Sequence, residues 1–90
     1  MISSTEIVSL AELSPGTDCR IVSLELKGLL RRRLQDLGIV PGTMIGCIRR
    51  GPSGEPTAYL VRGAMIALRK EDAGQILVMP TYVAFREEIV

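Results

Sequence analysis

Residues 27–43 read KGLLRRRLQDLGIVPGT, one amphipathic helical segment followed at once by a tight turn. Counting about 100° per residue from Leu29, Leu37 falls near about 80°, Leu30 near about 100° and Leu34 near about 140°, an apolar stripe as wide as a core-facing helix needs. Arg31, Arg32 and Gln35 fall on the opposite side, so the pattern predicts one short helix over about residues 28–37. Gly38 stands where a left-handed C′ residue closes a helix. Val40-Pro41-Gly42-Thr43 has type II turn chemistry: Pro fixes φ at the second position and Gly supplies positive φ at the third. A single short helix inserted between strands and closed in this way predicts a small barrel with one cross-over helix.

Upstream, Ser14-Pro15-Gly16-Thr17 repeats the Pro-Gly-Thr chemistry. Each turn launches a predicted strand, over residues 17–26 and 43–50. In the first, Cys19 and Ile21 share one face while Val22, Leu24 and Leu26 share the other. Strict alternation does not change face in mid-strand, but a bulge near Val22 does. In the second, Gly46 lies inside the strand, which marks a bend or a close backbone approach. Leu10 and Leu13, three apart, predict one helical turn packing under the sheet; residues 1–8 carry no usable periodicity.

Downstream, Gly51-Pro52-Ser53-Gly54-Glu55-Pro56 can only be an exposed loop. Residues 57–61 and 64–68 read as strands joined by Arg62-Gly63, a two-residue hairpin connection. Ile66 and Leu68 point one way, Met65 and Ala67 the other. A polar helical turn over 69–74 and a last strand over 75–78 complete the pattern. The class is mainly β, a small SH3-like β-barrel. Pro80 interrupts it and divides the chain into a barrel domain, residues 1–79, and a tail, residues 80–90. The tail holds Tyr82, Val83, Phe85, Ile89 and Val90. It reads either as an extra edge strand or helical turn covering the barrel, or as an arm that packs on a neighbouring copy to give a homo-oligomer.

Composition narrows the function. Eleven basic against ten acidic residues leave a net charge of +1, too little to draw the chain to nucleic acid or an anionic membrane. No apolar run is long enough to span a bilayer, and the first residues lack the basic and apolar regions of a signal peptide. Both features point to the cytoplasm. The chain has no histidine, hence no histidine base or imidazole ligand. The cysteines, Cys19 and Cys47, form no C-x-x-C pair, so no metal site is expected. Both alternate with apolar residues in strands and read as buried, reduced thiols. No phosphate-cradling loop is present. The chain is read as a non-enzyme without a cofactor.

Arg31-Arg32-Arg33 is the prominent charge cluster, joined by Arg49-Arg50 and Arg69-Lys70. Nucleic-acid binding would need stacking aromatics interleaved with such a face, and only three aromatics occur. Arginines beside exposed leucines instead suit a protein partner. The expected contact set is Leu30, Arg31, Arg32, Arg33, Leu34, Ile39 and Val40, an apolar patch rimmed by charge. Arg33, at about 40°, falls inside the stripe and must either run along the barrel and emerge into water or meet a partner carboxylate.

The elements L-x-E-L-x-P-G, the Arg/Leu-rich helix ending in L-G, V-P-G-T, P-x-G-x-P and V-R-G-x-x-I-A-L-R occur in this order over about residues 8–79. In them the chain resembles the bacterial ferrous-iron transport protein A (FeoA-like) family. The resemblance implies an SH3-like barrel in the cytoplasm with no enzymatic activity. It also implies an accessory role in which the protein binds and regulates the membrane iron permease (FeoB), whose cytoplasmic region includes a G-protein-like domain. Such a role would recruit it to the inner face of the membrane. The alternative reading is a small barrel that binds nucleic acid, or a regulatory domain related to the similar C-terminal barrel of iron-dependent repressors.

Overall fold

A computed structural model describes residues 6–81. Six strands form one antiparallel sheet: β1 (Val8–Ser9), β2 (Asp18–Leu24), β3 (Met44–Arg50), β4 (Thr57–Val61), β5 (Ala64–Leu68) and β6 (Ile76–Pro80). Their order across the sheet is β1-β6-β2-β3-β4-β5. Helix α1 (Gly28–Asp36) connects β2 to β3, and the single turn α2 (Lys70–Ala73) connects β5 to β6. A 3-10 turn, Leu10–Glu12, follows β1 and contributes buried Leu10, with Leu13 just beyond it. The sheet wraps one core to which β2 through β6, both helices and the 3-10 turn contribute, with Tyr59 its largest fully buried side chain.

Two irregularities bend the sheet. Pairing of β2 with β6 shifts register between Ile21 and Ser23, so Val22 is the extra residue. The bulge returns Leu24 to the core side with Cys19 and Ile21, as the change of face in the sequence requires. Pairing of β3 with β4 shifts again between Cys47 and Arg49, leaving Ile48 unpaired.

The two Pro-Gly-Thr turns are used reciprocally. Both close with the expected hydrogen bond, Thr17 N–H to Ser14 O at 3.1 Å and Thr43 N–H to Val40 O at 3.0 Å, with Gly16 at φ +89° and Gly42 at φ +93°. Each turn then clamps the strand that the other launches. Gly16 N–H donates to Cys47 O and Cys47 N–H to Thr17 O (2.7 and 2.9 Å), while Gly42 N–H donates to Ile21 O and Ile21 N–H to Thr43 O (2.8 and 2.9 Å). The repeated tripeptide thus marks a local two-fold relation between β2 and β3. At the other hairpin, Arg62 (φ +50°) and Gly63 (φ +85°) both take positive φ, the requirement of a type I′ turn.

Three features differ from the sequence reading. The two-residue β1 was not expected. Pro80 does not break β6 but ends it, pairing with Cys19. On its other side β6 meets β1 only at Leu77 and Val78, so it reaches Pro80 as an edge, where a missing N–H is tolerated. The helix is also rolled about its axis relative to the predicted stripe. Leu34 is buried and Leu30 half-buried, but Leu29 and Leu37 face solvent. The cause is Arg31, whose guanidinium donates to Leu24 O (2.5 Å) and Leu26 O (3.3 Å) and so turns its side of the helix inward. The expected arm lies, beyond Thr81, outside the described residues.

Candidate interaction surface

A helix of nine residues is marginal by itself, so α1 is held by its ends and its packing. Lys27, at the N-cap, offers no side-chain bond. The C-terminal end is well satisfied: Gly38 (φ +100°) donates to Gln35 O at 2.9 Å and Ile39 N–H to Leu34 O at 3.0 Å, the paired bonds of a Schellman motif. Its accompanying apolar pair is Leu34 and Ile39, both in the core. Gly38 has a second role. A Cβ there would clash with Arg62 Cδ, so the Arg62 side chain crosses the helix end in the space the glycine leaves.

Of the predicted contact residues, Leu34 is 3% exposed and Ile39 fully buried. Neither can meet a partner without unfolding. Leu30 and Val40 are half-buried, and Arg31 is tied to backbone carbonyls. Arg32 and Arg33 are exposed as expected. The sequence reading missed Leu29, 80% exposed, and Leu37, 43% exposed. Leu29, Arg33 and Leu37 succeed each other at four-residue steps, so they form one ridge along the outer side of α1. Arg33 inside the presumed core stripe was the signal that the stripe had been placed too far round.

Other basic side chains also bind backbone. Arg20 donates to Gly42 O (2.7 Å) and Arg50 to Leu13 O (2.8 Å). Arg50 and Lys70 together line a hollow of about 330 Å3 with Ala11, Gly54, Thr57 and Tyr59.

The thiols are free and buried. Cys19 Sγ donates to Ile45 O at 3.4 Å. Burial, with smaller contributions from Asp18 and Cys47, pushes its pKa up to about 12. Burial also raises Cys47, partly offset by Arg50. Both are therefore inert, protonated core groups at neutral pH. Among the described residues, no three His, Cys, Asp or Glu side chains gather as a metal site would need.

A six-stranded antiparallel sheet curled over one core, with a single cross-over helix, defines a small SH3-like barrel. The chain matches the FeoA domain over residues 8–80 and belongs to that family, whose members take part in ferrous-iron transport. It is 35% identical, over 67 residues and 74% of its length, to an Fe(2+) transport protein A/Fe(2+) transporter FeoB fusion protein of Porphyromonas gingivalis, of which it spans 8%. Among solved structures, iron(II) transport protein A from Clostridium thermocellum superposes with a TM-score of 0.75 at 36% identity, covering 80% of this chain and 44% of that one. Stenotrophomonas maltophilia FeoA, described as a prokaryotic SH3-domain protein and complexed with zinc, gives 0.73 at 30% identity, covering 82% and 95%. Among the described residues, no helix is long and apolar enough to cross a membrane.

Proposed function

We propose that this chain is a non-enzymatic accessory module that binds the cytoplasmic region of the ferrous-iron permease FeoB and regulates it, through the outer ridge of α1. The choice of partner is supported by the Porphyromonas gingivalis relative, in which a similar domain shares one polypeptide with FeoB. The surface is carried by the exposure of Leu29. A leucine that is 80% exposed, four residues from Arg33 and eight from a second exposed leucine, gives the apolar anchor and charged rim of a binding hot spot. Arg32 and Arg33 supply charge-assisted hydrogen bonds to partner carboxylates. Val40 flanks the ridge. Binding there places the module at the inner face of the membrane.

The experiment measures affinity for the permease's cytoplasmic region, with and without guanine nucleotide, for wild type, Leu29→Asp and the double variant Arg32→Glu/Arg33→Glu. All three should fold alike, because exposed substitutions usually cost under about 0.5 kcal/mol. Both variants should bind at least about tenfold more weakly, the loss of about 1.4 kcal/mol expected of a contact residue. Folded variants that bind as wild type would remove α1 as the surface. Absence of wild-type binding in either nucleotide state would remove the partner.

A further inference from the structure

One end of the core face opens into the hollow of about 330 Å3 that Arg50 and Lys70 line. Strand β3 runs on to Arg50 beyond its last pairing with β2, at Gly46. Cross-strand pairing sets Arg50 opposite Thr57, and Thr57 opposite Leu68. Directly paired residues point to the same side of a sheet. Thr57 and Leu68 are buried, so the row faces the core and Arg50 stands at its end. Tyr59, two residues along β4, shares that face and is also buried. Ala11 of the 3-10 turn, Gly54 of the loop and Lys70 of α2 complete the lining of this mouth.

The walls are held in place. Arg50 Nη2 donates to Leu13 O at 2.8 Å, which fixes the guanidinium and leaves its other N–H groups available. Gly51 N–H donates to Pro56 O and Gly54 N–H to Gly51 O, both at 2.9 Å, so the loop closes on itself. Glu55 Oε1 accepts the Lys70 N–H at 2.9 Å, which ties the loop to α2. A side-chain hydrogen bond joins Thr57 and Tyr59. Two hydroxyls that share one bond keep one O–H to donate elsewhere.

Two other hollows carry acid as well as base. The adjoining one is lined by Glu55, Arg69, Lys70 and Glu71. A depression of about 230 Å3 on the outer face of the sheet includes Asp18, Met44, Leu60 and Arg62 in its lining. Gly46 at its centre makes room for Asp18, because a Cβ there would come within 2.7 Å of Asp18 Oδ1. The mouth differs from both: its lining holds two cations and two buried hydroxyls but no carboxylate.

We propose that the mouth binds a dianionic phosphoryl group, free or carried as a monoester. Two cations match its two charges, whereas a carboxylate brings one. Arg50 supplies forked N–H donors to the oxygens and Lys70 a point charge. The volume is that of a small-molecule site, about 300–1,000 Å3, and barrel mouths commonly hold such sites, so a monoester's substituent has room beside Ala11 and Gly54. Helix α1 leads into the start of β3 and the mouth lies at its end, one strand length or about 20 Å away. The inference therefore does not depend on the partner proposed for α1.

The test titrates 15N-labelled protein with inorganic phosphate and, separately, with phenyl phosphate at constant ionic strength, and follows the amide signals by NMR. Benzoate is the monoanionic control. Saturable shifts are expected at Ala11, Gly54, Thr57 and Tyr59 with both phosphates, and none with benzoate. Lys70→Gln should weaken binding about tenfold or more, as loss of a hydrogen bond to a charged group does. Arg50→Lys, which keeps the charge but not the fork, should weaken it too. Arg49→Gln, which removes a cation from the opposite side of β3, should bind as wild type. Tighter binding of phenyl phosphate would identify a monoester as the ligand, and binding no tighter would identify the free ion. Equal weakening by Lys70→Gln and Arg49→Gln, or an equal response to benzoate, would reduce the site to general charge attraction and overturn the proposal. Absence of saturable shifts with either phosphate would overturn it as well.

Discussion

Helix α1 and the β2–β3 pair both carry apolar patterns, yet they obey them to different degrees. In the strand pair each Pro-Gly-Thr turn is locked to the strand launched by the other, and the position of each core residue follows from the turn before it. Along α1 and its C-cap residue Leu37, four leucines share a stripe, and one of them, Leu34, is buried. The strands are positioned by main-chain bonds repeated along their length, interrupted at Val22 and Ile48. The helix is held at its C-terminal end and by Leu34, and its roll is fixed by one side chain, Arg31, reaching the Leu24 and Leu26 carbonyls. Periodicity gives the width of a helix's apolar face, whereas its roll is set by whatever anchors it in space.

The largest test of this difference is within the helix. Leu34→Ala should destabilise the protein by about 2–5 kcal/mol, the range for a buried leucine, while Leu29→Ala should stay within about 0.5 kcal/mol. Urea unfolding of the two variants checks it. Equal losses would mean that α1 sits as its stripe predicts and not as Arg31 holds it.

The strand pair should show its tight burial as sensitivity to alkali. The Cys19 thiol ionises near 9.0 when exposed but only near about 12 when folded. Above pH 9 the unfolded chain therefore loses a proton that the folded chain keeps, so stability is complete below that pH and falls as pH rises toward 12. The slope is at most about 1.4 kcal/mol per pH unit for one group. Buried Tyr59, also raised, steepens the fall above its own ordinary range. Unfolding midpoints measured from neutral to strongly alkaline pH should decline, and Cys19→Ala should flatten the first part of the decline.

The smallest effect concerns the turns. Gly16→Ala and Gly42→Ala each force a side chain into positive φ, with nothing within 4 Å of the new Cβ. Each should cost about 1–2 kcal/mol, and the two costs should match because the turns have matching bonds. Unequal thermal shifts would break the two-fold relation between β2 and β3.

What the sequence disclosed was what a few adjacent residues determine. The Pro-Gly turns, the Arg62-Gly63 hairpin, the bulge at Val22 and the close approach at Gly46 are each encoded within a short window. Strand β1 was hidden because two residues carry no period. Pro80 read as a terminator because its tolerance depends on how far β1 runs beside it. At the candidate surface, the exposed Arg32 and Arg33 were legible as charge. Leu34 and Ile39 were misplaced because the Schellman closure draws both into the core together, and Leu29 was missed because nothing within α1 reveals that Arg31 anchors two carbonyls before the helix.

The Arg62 side chain gives the molecule a shared wall. It crosses the end of α1 over Gly38 and also lines the depression on the sheet. Its position near the helix C-terminus suits a cation there. The two outer surfaces are thus neighbouring rooms divided by one movable partition, and a side chain added at Gly38, on the helical side, narrows the room on the other.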